Sequence, residues 1–288
     1  MSMEKLMKTG LVIEGGGVRA IYAAGVLDVF MEHQLRFDGV IGVSAGAIHG
    51  CSFLSGQKGR SLRFYKKYCN DPRFMGFRSW LTTGDIVGTD FGYREIPDRL
   101  DIYDYEAFKN CEIPFYAACS NVVTGQPEYL QITDMRKQMD CLRASASLPY
   151  FSRIVEIAGK KYLDGGATDS IPVEAFMNMG YQRNVVILTR EAAYRKKPEL
   201  RMLPDLVYRK YPAFAEALRK RHISYNHTLE RILDFEKEGS IFVIRPEVSV
   251  PASRMERNPE NVQRAYDMGY ADAKQRIDQL LKWMEQKE

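Results

Sequence analysis

Two glycine-framed clusters lie within the first fifty residues, and a third follows much later. The first is Gly15-Gly16-Gly17-Val18-Arg19. The second is Gly42-Val43-Ser44-Ala45-Gly46, and the third is Leu163-Asp164-Gly165-Gly166. A glycine-rich turn turns backbone N–H groups toward an anion, and a serine on a sharp strand-to-helix turn presents its hydroxyl. Together these residue types suit nucleophilic attack on an acyl carbon. Gly15, Gly16 and Gly17 would supply N–H donors to the oxyanion, Ser44 the nucleophile, and Asp164 a carboxylate base at a strand end. Gly42 and Gly46 would leave room for the serine turn, and Gly165 and Gly166 would remove side-chain bulk behind the aspartate. A nucleotide-phosphate loop fits less well, since G-x-G-x-x-G needs glycine where Ala20 stands and no Gly-Lys-Ser/Thr follows.

A histidine base is the rival. The four histidines are His33, His49, His222 and His227. The order Ser44, Asp164, then His222 or His227 is formally that of a triad. Against it, an α/β-hydrolase sets its nucleophile several strands into the sheet, whereas Ser44 follows the second strand. Asp164 acting directly is the preferred base, with its free pKa near 3.9 making it weak unless the site is buried.

The elements needed to position these residues are legible in the apolar pattern. Leu11–Glu14 reads as a buried strand, Val18–Gln34 as a helix, Phe37–Val43 as a strand and Ala45–Leu54 as a helix. Alternation of strand and helix predicts a parallel sheet with right-handed crossovers. Arg60–Leu100 reads as helix plus connecting loop, with Thr82–Gly92 a flexible lid. Strands are expected at 113–120, 126–132, 154–157, 161–163, 184–189 and 240–244. Helices are expected at 134–145 and 258–282, the latter weakly interrupted by Gly269.

Gly15-Gly16-Gly17-Val18-Arg19-Ala20, Gly42-Val43-Ser44-Ala45-Gly46, Ala144-Ser145-Ala146-Ser147-Leu148-Pro149 and Asp164-Gly165-Gly166, in that order, resemble the patatin-like phospholipase family, especially its bacterial members. The resemblance runs from about Gly10 to Leu188. Ala20 departs from the family's usual glycine. The resemblance implies an α/β fold, a three-layer α/β/α sandwich with a mostly parallel central sheet and a helical C-terminal region. It implies a Ser44–Asp164 dyad without histidine, an acyl-serine intermediate and lipid ester substrates. Arg19 would brace the loop or a neighbouring carboxylate. Residues 1–190 would form the catalytic domain, and 191–288 a basic helical segment, a further strand and a C-terminal helix packed on it.

With 288 residues, 45% hydrophobic and 27% charged, the composition is that of an ordinary soluble globular chain. Five cysteines without a C-x-x-C pair fit a reducing, cytoplasmic compartment and give no zinc spacing; Cys51 and Cys119 read as core. No apolar run reaches membrane-span length, and Met1–Gly10 carries no secretory h-region. No metal and no cofactor is expected, so the reaction should be calcium-independent. Charge is uneven: residues 195–231 carry a local +6, which leaves the remainder near −2. This segment is either a solvated helical hairpin or a peripheral contact with an anionic membrane. Nucleic acid is not expected, because no binding motif accompanies the charge. Oligomeric state is not readable. A catalytically silent lipid-binding module and an acyltransferase using the same acyl-serine stand as alternatives to the hydrolase and the histidine-triad esterase.

Overall fold

The computed structural model describes residues 7–200 and 202–286. The start of the N-terminal stretch read for a leader, and Arg201 of the basic segment, lie outside the described residues. The chain forms strands β1 (Thr9–Ile13), β2 (Gly39–Val43), β3 (Phe115–Asn121), β4 (Pro127–Ile132), β5 (Val155–Ile157), β6 (Lys160–Asp164), β7 (Arg183–Ile187) and β8 (Ile241–Ile244). The sheet order is β5-β6-β3-β2-β1-β7-β8, with β4 also paired to β3.

The run from β3 through β2, β1 and β7 to β8 is parallel, as the alternating pattern predicts. The β4 and β5–β6 pairings are antiparallel. The departure has a local cause. β3 to β4 and β5 to β6 are joined by turns too short for a crossover, so their partners must run in the opposite sense. β8 adds to the same sheet beside β7, so the region after residue 190 extends the central layer.

Ten helices flank this sheet among the described residues: α1 (Ile21–Glu32), α2 (Ala45–Leu54), α3 (Arg60–Tyr68), α4 (Phe77–Thr83), α5 (Tyr105–Lys109), α6 (Met135–Ser145), α7 (Val173–Asn178), α8 (Leu203–Val207), α9 (Pro212–Lys237) and α10 (Pro259–Glu285). Alternation along each strand separates the two faces. Leu11, Ile13, Val185, Ile187 and Ile244 pack toward α1, α2 and α10. Val12, Ile41, Val186 and Val243 pack toward α7 and α9. The result is a three-layer α/β/α sandwich with helices on both sheet faces.

Two sequence expectations are corrected here. Gly269 does not interrupt the C-terminal helix. It lets α10 cross α1 closely: a Cβ there would stand 1.9 Å from the Tyr22 carbonyl oxygen, and one on Gly25 would stand 2.2 Å from that of Tyr266. Tyr22 donates to Asp272 at 2.7 Å across the same crossing. Arg60–Leu100, read as helix plus connecting loop, is more helical than that reading. It holds α3, α4 and a π-helix over Phe91–Leu100 that contains Pro97. Proline reads as a breaker, but the wide π turn accommodates it. Thr82–Gly92, expected as a flexible lid, is fastened: Asp85 accepts from the Arg153 N–H at 2.8 Å, and the Ile86 N–H donates to the Phe151 carbonyl at 2.8 Å.

Candidate active site

The C-terminal ends of the parallel strands meet at one point, where a sheet of this kind opens to ligands. β2 ends at Val43, and Ser44 makes the turn into α2. Its backbone sits at φ 55°, ψ −127°, a conformation that L residues rarely adopt. The turn is tight because α2 starts against the end of β1. A Cβ on Gly46 would lie 2.6 Å from the Ile13 carbonyl oxygen and 2.7 Å from that of Glu14. Gly42 is hemmed in similarly by Ala47. Ser44 is buried, with its N–H donating to Ser145 Oγ at 2.9 Å, and that hydroxyl donates to the Ala118 carbonyl at 2.7 Å.

Ser145 belongs to a stretch the sequence singles out, yet its role shows only in three dimensions. It ties the turn at Ser44 to the middle of β3 from α6. Ser145→Ala would leave the buried Ser44 N–H unpaired, at a cost of about 1–3 kcal/mol. A misplaced serine loses rate, so kcat should fall by about 10²-fold while KM changes little. Steady-state kinetics on a soluble ester check this; unchanged kcat would remove the positioning role.

The triple glycine follows β1. Gly15 and Gly16 flank Ser44 in one polar cavity, and Gly17 lines both that cavity and an apolar one. Neither Gly15 nor Gly16 donates its N–H within the described protein, so both remain available to an anion. Gly17 adopts φ +60° with the Arg254 backbone pressed against it, and the Val18 N–H donates to the Arg254 carbonyl at 3.0 Å. Behind the loop, Glu14 is buried and accepts from the Thr189 N–H at 2.6 Å and the Tyr225 hydroxyl at 2.7 Å. Arg19 is buried beside it. Burial holds its guanidinium below the ordinary value, and Glu14 offsets part of that. Glu14 was not singled out in the sequence, although a carboxylate abutting three glycines was the available signal.

Asp164 ends β6 and faces the same cavity. Its Oδ1 accepts from the Gly166 N–H at 2.7 Å. Its Oδ2 is buried with no well-formed hydrogen bond. Burial raises the carboxyl pKa, and the neighbouring Ser44 hydroxyl, then Arg221, pull it partly back. Gly165 lies against the Ala118 carbonyl, where a Cβ would sit 2.2 Å from the oxygen, so the β6 turn docks directly on β3.

Two cavities share Ser44. One is walled by apolar side chains including Ile48, Phe64, Phe74, Ile96, Met135 and Leu142. The other is polar and holds Asp164 and the glycine loop. No histidine lines either one. His49 instead pairs with Ser61 Oγ at 2.9 Å, and burial lowers its pKa to about 3. His222 and His227 lie on α9 outside both cavities, so the structure does not assemble the histidine triad. Among the described residues, no group of three or more His, Cys, Asp or Glu is placed to hold a metal ion.

The model of the family described as patatin-like phospholipase matches residues 11–177, and a domain of unknown function, DUF6363, matches residues 211–285. The chain is 32% identical over 186 residues to the uncharacterized protein YjjU of Escherichia coli, covering 63% of this chain and 52% of that protein. It is 28% identical over 178 residues to lysophospholipase NTE1 of Saccharomyces cerevisiae, covering 60% of this chain and 10% of that protein. The chain thus spans about half the length of the first of these relatives and a tenth of the second. The solved structure of VipD from Legionella pneumophila aligns at TM-score 0.45 and 13% identity, covering 95% of this chain and 67% of that one. On the match across residues 11–177, more than half its length, this chain belongs to the patatin-like phospholipase family.

Proposed function

We propose that the chain is a serine acyl hydrolase that cleaves carboxylic esters of lipids, with Ser44 as nucleophile and Asp164 as base. The observation that carries this reading is the free, buried Oδ2 of Asp164 beside Ser44, at the junction of a polar and an apolar cavity. An acyl chain fits the apolar cavity, and its ester carbonyl then lies at Ser44. The Ser44 hydroxyl attacks the carbonyl carbon while its proton passes to Asp164. The glycine-loop N–H groups hold the tetrahedral oxyanion. Collapse breaks the ester C–O bond, and the alcohol leaves with the proton from Asp164. Water, deprotonated by Asp164, then releases the fatty acid from the acyl-serine. Burial strengthens the aspartate as a base, which answers the weakness of a free carboxylate. The names of the NTE1 relatives support a lysophospholipase-like substrate. The test is labelling by a fluorophosphonate with concurrent hydrolysis of short and long acyl esters. Labelling and turnover that both require Ser44 support the reading; a wild-type protein that does neither on any ester refutes it.

The same reading includes contact with an anionic membrane through residues 195–231. No described helix is long and apolar enough to cross a bilayer. Leu200, Met202, Leu206 and Val207 are exposed around α8, with Arg195, Lys197, Arg209 and Lys210 exposed beside them. Leu200 and Leu203, with Phe151, frame an opening that reaches Asp164. Apolar side chains ringed by cations match an anionic interface. Leu206→Glu with Val207→Glu should therefore lower turnover on anionic vesicles by at least about tenfold relative to turnover of a water-soluble short-chain ester. Equal rates on vesicles would exclude this face as the contact.

A further inference from the structure

The polar cavity is a charge trap that the ester chemistry alone does not explain. Five cationic side chains line it against two carboxylates. Glu14 is held by the Thr189 N–H and the Tyr225 hydroxyl, and Asp164 accepts from the Gly166 N–H at Oδ1 while its Oδ2 stays free. Arg221 donates to the Gly166 carbonyl and pairs with Glu199 at 3.4 Å. Apart from Arg19, which lies beside Glu14, the three remaining cations have no carboxylate partner among the described residues. Arg190 stacks on Tyr194 at 4.2 Å with its Nε buried and unpaired. Lys196 rests its ammonium 4.3 Å over the Tyr225 ring. Arg254 stands exposed at the rim where the polar and apolar cavities meet.

We propose that Arg190, Lys196, Arg221 and Arg254 form an anion subsite that takes a phosphate carried on the alcohol part of the ester substrate. The proposal rests on the hydrolase reading above and names the substrate class of that site. The placement is consistent with it. With the acyl chain in the apolar cavity and the carbonyl at Ser44, the alcohol part projects into the polar cavity, where these cations wait. Guanidinium forks match phosphate oxygens in pairs, and an ammonium adds a point charge. Without an anion the cluster is costly: burial first, then the Arg221 charge, brings Lys196 down to about 7. A bound phosphate returns that cost as binding energy. All four residues lie beyond the residues matched by the patatin family, so the downstream part of the chain would set the head-group preference on a shared catalytic frame.

The test compares octanoyl glycerol phosphate with octanoyl glycerol, which differ only in the phosphate. Wild type should favour the phosphate ester in kcat/KM. In Lys196→Met and in Arg190→Met that preference ratio should fall at least about tenfold, as loss of a charge-assisted hydrogen bond implies. Lys196→Arg, which keeps the charge, should retain most of it. A wild type without preference, or variants whose losses are equal on both esters, overturns the subsite. If wild type hydrolyses neither ester, the hydrolase reading fails, and equilibrium binding of the two lipids decides the subsite separately. Tighter binding of the phosphate lipid that Lys196→Met abolishes would sustain it; equal binding would overturn it. Inorganic phosphate should compete only weakly. Inhibition well below the KM of the phosphate ester would overturn the substrate assignment in favour of a free anion.

Discussion

Ser44→Ala will lower kcat for ester hydrolysis by about 10⁴- to 10⁶-fold, the scale on which removing an activated nucleophile acts. The change deletes one oxygen and leaves its surroundings in place. The N–H of residue 44 still reaches Ser145, Gly46 still lets α2 abut β1, and the glycine loop still borders the cavity. Binding of a non-hydrolysable ester analogue should therefore stay within about twofold of wild type, because binding and chemistry separate when the lost atom acts only in bond making. Fluorophosphonate labelling should vanish with the activity. Three measurements decide it: single-turnover hydrolysis, labelling and analogue affinity. Turnover persisting in Ser44→Ala at more than about one hundredth of wild type would assign the chemistry elsewhere. Loss of analogue binding in parallel with activity would mean that the variant lost its cavity, and the strained backbone at φ 55° would be the place to look.

The frame around Ser44 was legible because its signals are local. Ala45–Leu54 begins and ends where the apolar pattern places it, and the glycines that bracket Ser44 are required by contacts within one strand–turn–helix unit. The parallel run β2-β1-β7 follows from the alternation of strand and helix. β3 was expected as a strand at 113–120, but nothing local shows that it carries three partners and changes the sense of pairing along its length. Ser145 and Glu14 act through partners roughly one hundred and two hundred residues away, so their contacts, unlike the stretches that hold them, show only in three dimensions. The basic run is the instructive case. Charge counting treats 195–231 as one face, whereas the fold divides it. Arg195, Lys197, Arg209 and Lys210 face solvent, and Lys196 and Arg221 turn inward to the cavity. Arg254, which joins them from beyond β8, carries no signal in sequence at all. A charge run thus hides a site when alternate members point to opposite sides.

Asp164→Asn separates function from stability in opposite directions. The amide cannot accept the Ser44 proton, so kcat/KM should fall by about 10³- to 10⁴-fold. The fold should gain. The carboxyl pKa lies above its ordinary value of 3.8, chiefly because burial disfavours the ion. A raised folded-state pKa means that the group's stabilising contribution is full below its unfolded pKa and is lost as pH rises through the folded one. At neutral pH the ionised Asp164 therefore costs the native state, and Asn removes that cost while its side-chain oxygen still accepts from the Gly166 N–H. Thermal unfolding at neutral pH should give a higher midpoint for Asp164→Asn than for wild type, and the difference should shrink as pH falls below the ordinary carboxylate range. The wild-type rate carries the same signature: the acid limb of kcat/KM should lie above the pH at which an exposed aspartate titrates. A less stable Asp164→Asn at neutral pH would show instead that the ionised carboxylate is a structural anchor, held by Arg221 and the Gly166 N–H. The kinetic readout decides the base separately: unchanged kcat/KM in Asp164→Asn would place it elsewhere around Ser44.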